Sequence, residues 1–283
     1  MVDKSHHQEK YLFLNTIREI IIHNPKSLEL YLSKLLPLLI LHSKNEEEQI
    51  RNIVAESIGR LFIIYSTDMF NEIEHGLKDQ NPQVRSTIVK SFKYAGSKDT
   101  DAVQLEICSS ELIKLVEDKD LNVKRNALEA LNAIVHNQPS VIRGELERLE
   151  KVAISETIIK QELITEVDLG PFKHKVDEGI PIRKAAYSLI DTLVEKIPER
   201  ISINHIVEII IKGLDDPAEE CMILCLHILG RLIQWAPAVV ISNLDPLVDT
   251  FDKQFDRYMK QNVQNSEKAQ NILRALLRVV EQL

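Results

Sequence analysis

EDKDLNVKRNALEAL, residues 117–131, opens on charged and turn-forming residues, then sets an aliphatic side chain, a basic pair and an amphipathic run. Val123, Ala127, Leu131 and Ile134 recur at the spacing of one face of a 3.6-residue period, so the run reads as a helix with one apolar stripe. The same order returns in NEEEQIRNIVAESIGRL (45–61), KDQNPQVRSTIVKSF (78–92) and DEGIPIRKAAYSLI (177–190). Aligned on the basic residue, the markers are Lys10, Arg51, Arg85, Arg125 and Arg183, with Cys221 in the equivalent place of DDPAEECMILCLHIL (215–229). Their separations are 41, 34, 40, 58 and 38 residues.

Each marked helix has an apolar partner before it: Leu28 to Leu41, Thr67 to Leu77, Ala102 to Val116, Ser140 to Ile159 and Ser202 to Leu214. A helix pair of about 40 residues cannot cover its own stripe, so successive pairs must stack and share a core. Asn24-Pro25, Asn81-Pro82 and Asp216-Pro217 punctuate the units, since proline fixes φ and is tolerated in a first helical turn. The period is that of HEAT and armadillo arrays, roughly 40 to 47 residues. The expected fold is therefore all-α, a HEAT/armadillo-like α-solenoid superhelix of about six to seven units. It is read as one domain over residues 1–283, with residues 1–9 as a flexible leader and second helices beginning near Gln49, Gln83, Val123, Ile180 and Glu219.

The composition agrees. Hydrophobic residues make up 44% of the 283-residue chain, enough for a continuous core, whereas 5% aromatics and 8 glycines suit neither an all-β fold nor a glycine-loop enzyme. Three cysteines, an odd number, with no secretory leader point to a reducing compartment, and the expected location is cytoplasmic and nuclear. The longest apolar stretch, Leu35 to Leu41, is far below the ~18 residues of a membrane span, so no membrane partner is expected. With 35 basic against 43 acidic residues the net charge is −8, and the basic residues are dispersed rather than clustered against phosphates. No nucleic acid is expected; a basic protein surface suits this chain better.

The sequence holds no GxxxxGK[ST], GxGxxG, GxSxG or HExxH motif. Cys221 and Cys225 can share a helix face, but His227 points roughly away from Cys225 on the same helix, so the three read as two core thiols and a separate imidazole rather than a metal site. His6-His7 reads as part of the leader, and Glu46 to Glu48 as a first turn complementing the helix dipole. The enzyme class to weigh against a binding module is the helical-repeat DNA glycosylase, which needs a basic groove with an aromatic and a carboxylate near a flipped base. The sole tryptophan, Trp235, lies in an apolar helix end before a proline and is expected to pack in the core. No catalytic residue, cofactor or metal is assigned.

The 58-residue separation is about 20 longer than its neighbours, and it contains LITEVDLGPFKHKVDEG, residues 163–179. This reads as a β-hairpin inserted over residues 162–179. Gly170-Pro171 suits a two-residue type II′ turn, which pairs Leu169 with Phe172, Asp168 with Lys173, Val167 with His174, Glu166 with Lys175 and Thr165 with Val176. One face is then largely apolar, and the other carries two opposite-charge pairs worth roughly 0.2 to 1 kcal/mol each. A two-stranded hairpin is only marginally stable alone in water. Two readings stand: the apolar face folds back on the helices as a strut, or the tip presents Leu169, Pro171 and Phe172 to another protein.

At these residues the chain resembles a known family. QELITEVDLGPFKHKVDEGIPIRKAA (161–186), with RNIVAESIGRL, DLNVKRNALEALN and HNQPSVIR upstream, is similar to the C-terminal region of the cullin-associated and neddylation-dissociated proteins, also described as TATA-binding-protein-interacting proteins. The resemblance runs from about Lys10 to Leu283, and GPFKH is its most specific element. It implies a non-catalytic module of a regulator that wraps an unmodified cullin and its RING subunit. The C-terminal repeats would cap the N-terminal end of the cullin, and the hairpin would occupy ground used by the substrate-receptor adaptor, making the protein an exchange factor for cullin-RING ubiquitin ligases. Carried onto this chain, the partner-binding residues would be Glu166, Val167, Asp168, Leu169, Gly170, Pro171, Phe172, Lys173, His174, Lys175 and Val176. Family members exceed a thousand residues, so the N-terminal repeats are expected on a separate half or a longer chain. A generic HEAT scaffold or transport adaptor is the alternative within the binding class.

Overall fold

The computed structural model describes residues 2–168, 173–260 and 267–283. Helices follow one another as α1 (Val2–His23), α2 (Leu32–His42), α3 (Glu48–Leu77), α4 (Pro82–Ala95), α5 (Ala102–Leu115), α6 (Leu121–Asn137) and α7 (Leu146–Ser155). A two-stranded sheet, β1 (Ile164–Asp168) and β2 (Lys173–Asp177), precedes α8 (Ile180–Lys196), α9 (Ile203–Gly213), α10 (Glu219–Trp235), α11 (Pro237–Ser242), α12 (Leu244–Met259) and α13 (Glu267–Val280). Short 3₁₀ segments at Pro25–Tyr31, Pro139–Ile142, Gln161–Leu163 and Pro198–Arg200 lie between them. Packing divides the chain into two compact units, 1–149 and 150–283.

The second helices begin at Glu48, Pro82, Leu121, Ile180 and Glu219, within two residues of the expected starts. The caps explain why. Asn81 accepts from Gln83 N ahead of the N1 proline Pro82, and Asp120 accepts from Asn122 N and Val123 N, satisfying donors that a first turn leaves open. Two expectations give way. The stretch 1–9, expected as a flexible leader, lies in α1 from Val2 onward, because DKSHHQEK contains neither proline nor glycine to stop the helix propagating. Thr67 to Leu77, expected as a separate helix, continues α3 across a kink at Tyr65 (φ −117°, ψ 31°), since no helix breaker separates it from the preceding run.

In the unit 1–149 the α3–α4 pair forms the densest part of the core, with Phe62 edge-on to Phe92 at 5.4 Å between ring centroids. Ile50, Val54, Ile58, Leu61, Met69 and Ile88 are fully buried around them. Gly59 sets the approach of the two helices: a Cβ there would overlap the Ser91 carbonyl oxygen and lie 2.8 Å from Tyr94 Cβ. In the unit 150–283 the corresponding convergence is Gly213, where a Cβ would meet Cys225 Sγ and lie 2.5 Å from Tyr187 Oη.

The turn before each second helix is built the same way. Asn45, Asp79, Asp118, Asp177 and Asp216 each accept from the backbone N–H two residues on. Six residues beyond them stand Arg51, Arg85, Lys124, Arg183 and Met222. Arg51 and Arg85 donate back to the carbonyls of their own turn, Asn45 O and Glu46 O at 2.7 Å, and Asp79 O at 2.7 Å and Gln80 O at 3.1 Å. Arg85 also grips the turn of the next unit with two bonds to the Asp118 carboxylate, at 2.8 and 2.9 Å, and Arg183 grips Asp216 in the same manner. Arg125 and Cys221, which the sequence aligns with this series, are one residue out of step. Helix rotation of about 100° per residue points Arg125 elsewhere, toward Glu129 at 3.8 Å, and the ladder position belongs to Lys124.

Two outcomes follow from this packing. Gly59→Ala forces α3 from α4 and will destabilise the protein by roughly 1–3 kcal/mol, read as a lowered urea midpoint with an unchanged slope. The Asp118 carboxyl is pulled two ways: burial raises its pKa, and the Arg85 bonds with the Asp120 N–H outweigh this and hold it below the usual aspartate value. A depressed pKa contributes stability that is present at neutral pH and lost as pH falls through the folded value. The stability gap between the wild type and Asp118→Asn will therefore stay constant from about pH 7 to 5 and narrow below about 4, in urea titrations across that range.

Candidate functional site

The hairpin register is Ile164↔Asp177, Thr165↔Val176, Glu166↔Lys175, Val167↔His174 and Asp168↔Lys173. These are the pairs that a two-residue turn at Gly170-Pro171 demands. Residues 169–172, with the expected tip side chains Leu169, Gly170, Pro171 and Phe172, lie outside the described residues, as do the side chains of Val167, Asp168, Lys173 and His174. Thr165, Glu166, Lys175 and Val176 are exposed, so where the apolar face can be followed it is not folded under the helices.

The base of the hairpin is closed tightly. Glu178 N donates to Leu163 O at 3.0 Å, Gly179 N donates to Asp177 Oδ1 at 2.8 Å, and the turn then runs into α8. Gly179 is buried against its neighbours: a Cβ would lie 3.0 Å from Asp177 Oδ1, 3.1 Å from Arg183 Nη1 and 3.3 Å from Leu163 Cδ1. Arg183, 1% exposed, links this base to the body. Its Nη2 donates to Asp177 Oδ2 at 2.9 Å, while Nε and Nη2 donate to Asp216 at 2.8 and 3.2 Å. Burial disfavours the guanidinium charge, but the bonds to Asp216 and Asp177 outweigh it and raise the pKa above that of a free arginine. The group is therefore a permanent cation held between two carboxylates.

Sequence reasoning finds the arginine as a repeat marker and misses its second role, because Asp177 reads simply as one of the turn residues that open the repeat. A signal is nonetheless available: aspartate six residues before arginine occurs both here and at Asp79/Arg85.

The other singled-out residues disperse. Cys221 and Cys225 are fully buried, and His227 is largely exposed, facing Asp191 at 3.6 Å. Burial pushes the Cys221 thiol up to about 12 and the Cys225 and Tyr187 groups upward as well, so neither sulfur is a thiolate at neutral pH. Among the described residues no group of three or more His, Cys, Asp or Glu side chains is placed to hold a metal ion, and no helix is long and apolar enough to cross a membrane. Trp235, expected in the core, is 58% exposed, because it is the last residue of α10 and the buried face of that helix ends at Leu232.

Arg183→Ala leaves Asp216 buried without its partner, and it will lower stability by about 3–5 kcal/mol, with a matching loss of thermal midpoint. If binding to a partner failed while stability stayed unchanged, the arginine would be a contact residue instead.

Comparison with known proteins agrees with this geometry. The family model described as "TATA-binding protein interacting (TIP20)" matches residues 141–283, which include the hairpin. The cullin-associated NEDD8-dissociated protein 1 of Dictyostelium discoideum is 35% identical over 98% of this chain, and the C-terminal part of that protein from Emericella nidulans is 31% identical over 97%. The chain spans about a quarter of the length of these relatives, 23% and 27% respectively. Among solved structures, a chain of the Kap95p–RanGDP complex matches 96% of this chain over 35% of its own length, with a TM-score of 0.71 at 13% identity. A designed armadillo repeat protein, YIII(Dq)4CqI, matches 87% of this chain over 99% of its own length, with a TM-score of 0.52 at 13% identity. The fold is thus an all-α HEAT/armadillo solenoid with one small β-hairpin, and the chain belongs to the TATA-binding protein interacting (TIP20) family, fitting a C-terminal region of a cullin-associated NEDD8-dissociated protein.

Proposed function

We propose that this chain is a non-catalytic, cullin-binding module of a regulator of cullin-RING ligases, and that its hairpin competes with the substrate-receptor adaptor at the N-terminal end of an unmodified cullin. The observation that carries the reading is the contrast along the hairpin. Its base is fastened by Arg183, Asp177 and the Glu178–Leu163 bond, whereas Thr165, Glu166, Lys175 and Val176 stand in solvent. A strut would cover its apolar face; an anchored hairpin with Thr165 and Val176 exposed on that face suits a partner. The names of the relatives supply the partner class, cullin, and the residues matched by the family model, 141–283, include the hairpin. The RING subunit, the adaptor and a separate N-terminal half of the regulator complete the proposed assembly, in cytoplasm and nucleus. Competition here is steric and needs no long-range coupling.

A generic HEAT scaffold is the weaker alternative, because an array of repeats alone has no use for the inserted hairpin. The glycosylase reading draws no support from Trp235, which ends α10 at the surface rather than standing in a base pocket.

The test is a variant in which 167–174 is replaced by a short polar turn. Its helical circular dichroism and melting will match the wild type, because the Glu178–Leu163 bond and the Arg183–Asp177 anchor lie below the replaced residues and remain. With unmodified cullin and its RING subunit, it will still be captured by the remaining broad surface while displacing bound adaptor at least about tenfold less well. Undiminished displacement would sink the competition reading and leave the hairpin a structural element.

A further inference from the structure

A groove of about 390 Å³ crosses the first turns of α3, α4 and α6 in the unit 1–149, and its walls are polar. Three of the lining residues share one helix position: Asn52 on α3, Ser86 on α4 and Arg125 on α6, each the fifth residue of its helix. This explains why Arg125 leaves the ladder, since its position looks into the groove. The floor is wired across repeats. Lys90 Nζ donates to Asn52 Oδ1 at 2.7 Å, and Asn126 Nδ2 donates to Ser86 Oγ at 2.8 Å and to Ser86 O at 3.2 Å.

That wiring leaves specific groups unused. Asn126 is only 4% exposed, and its Oδ1 is buried with no hydrogen-bond partner. Arg125 Nε is likewise buried without one; Glu129, at 3.8 Å from it, is shared with Lys93 at 3.5 Å. Buried polar groups left unpaired are costly, so both are candidates for an external partner. The cations lining the groove are Arg51, Lys90 and Arg125, and the anions are Glu48 and Asp120. Asp120 is engaged by the Asn122 and Val123 N–H groups, and Glu48 is mostly exposed, 3.9 Å from Lys90. The lining therefore carries one more cation than anion, in a chain whose net charge is −8. Burial lowers the pKa of Lys90, against the pull of Glu48, so an additional anion beside it would be welcome.

We propose that the groove binds an extended peptide segment bearing an acidic side chain. The peptide donates a backbone N–H to Asn126 Oδ1, and its carboxylate accepts from Arg125 Nε and Lys90 Nζ. An acceptor beside two cations selects for a ligand with both a donor and an anion, which a peptide has and the dianion of a phosphate monoester lacks. Successive packed helices lie about 8–10 Å apart, so the path from α3 to α6 is roughly 20 Å. An extended chain rising about 3.3 Å per residue covers it with about six residues. The site involves no residue of the hairpin and stands independently of the cullin reading.

The test uses the full 283-residue chain and two fluorescein-labelled octapeptides, one alternating Glu and Ser and one alternating Lys and Ser, followed by anisotropy. The Glu peptide will bind at least about tenfold more tightly than the Lys peptide, and Arg125→Gln and Lys90→Gln will each weaken it roughly tenfold, the scale of one charge-assisted hydrogen bond. Asn126→Ala will weaken both the affinity and, through Ser86, the fold, so the variants of the two partly exposed cations are the decisive ones. The variant lacking 167–174 will bind the Glu peptide as the wild type does. Absence of binding, equal affinity for the two peptides, or an unchanged affinity in Arg125→Gln with intact helical content overturns the proposal. Displacement of the Glu peptide by an equal concentration of inorganic phosphate would also overturn it, as the mark of a simple anion site.

Discussion

The guanidinium of Arg183, closed between Asp177 and Asp216, is the contact on which the C-terminal half of the molecule turns. One side chain joins the end of a strand, the start of α8 and the turn before α10. A buried cation is tolerated only when carboxylates surround it, and the two aspartates in turn are tolerated only because it is there. The first of them ends the hairpin, and the second opens the next repeat, so the inserted element and the repeat array are held by the same charge. The Arg85–Asp118 pair repeats the arrangement in the N-terminal half, where no insertion competes for the arginine and Nη1 turns to the carbonyls of its own loop.

Much of this is legible in the chain. The period of the apolar stripe and the polar openings place the second helices to within two residues, because caps and prolines are local signals. The strand register is legible as well, since a glycine-proline pair at the centre of a symmetric run allows only one two-residue turn, and a one-residue slip would exchange the charged and apolar faces. What escapes is set at long range. Whether Lys124 or Arg125 takes the position equivalent to Arg85 depends on a single step of helix rotation that the repeat alignment blurs. Gly59 looks ordinary in sequence, and only the approach of the Ser91 carbonyl shows why no side chain fits there. Trp235 reads as a core residue by its apolar company, but helix ends expose one flank whatever their composition.

Of the candidate site, the strands, their pairing and the exposure of Glu166 and Lys175 follow from alternation alone. The anchoring does not. Arg183 and Asp216 are far apart in the chain, and nothing in either residue's neighbourhood announces the other; only the equivalent spacing of Arg85 and Asp118 hints at a rule. The polar groove is hidden for the opposite reason. Its asparagines and lysine sit on helix faces that read as ordinary solvated positions until the helices are laid side by side.

The bond between Glu178 N and Leu163 O has a consequence for how this protein can change over time. It pins the two ends of the inserted segment together just before α8 begins. Once the ends of a loop are held, each doubling of its length costs only about 0.6 kcal/mol in closure entropy. The segment above the pin is thus free to lengthen, shorten or exchange its tip at almost no cost to the body. A lineage of such proteins can vary the inserted segment without renegotiating the scaffold that carries it.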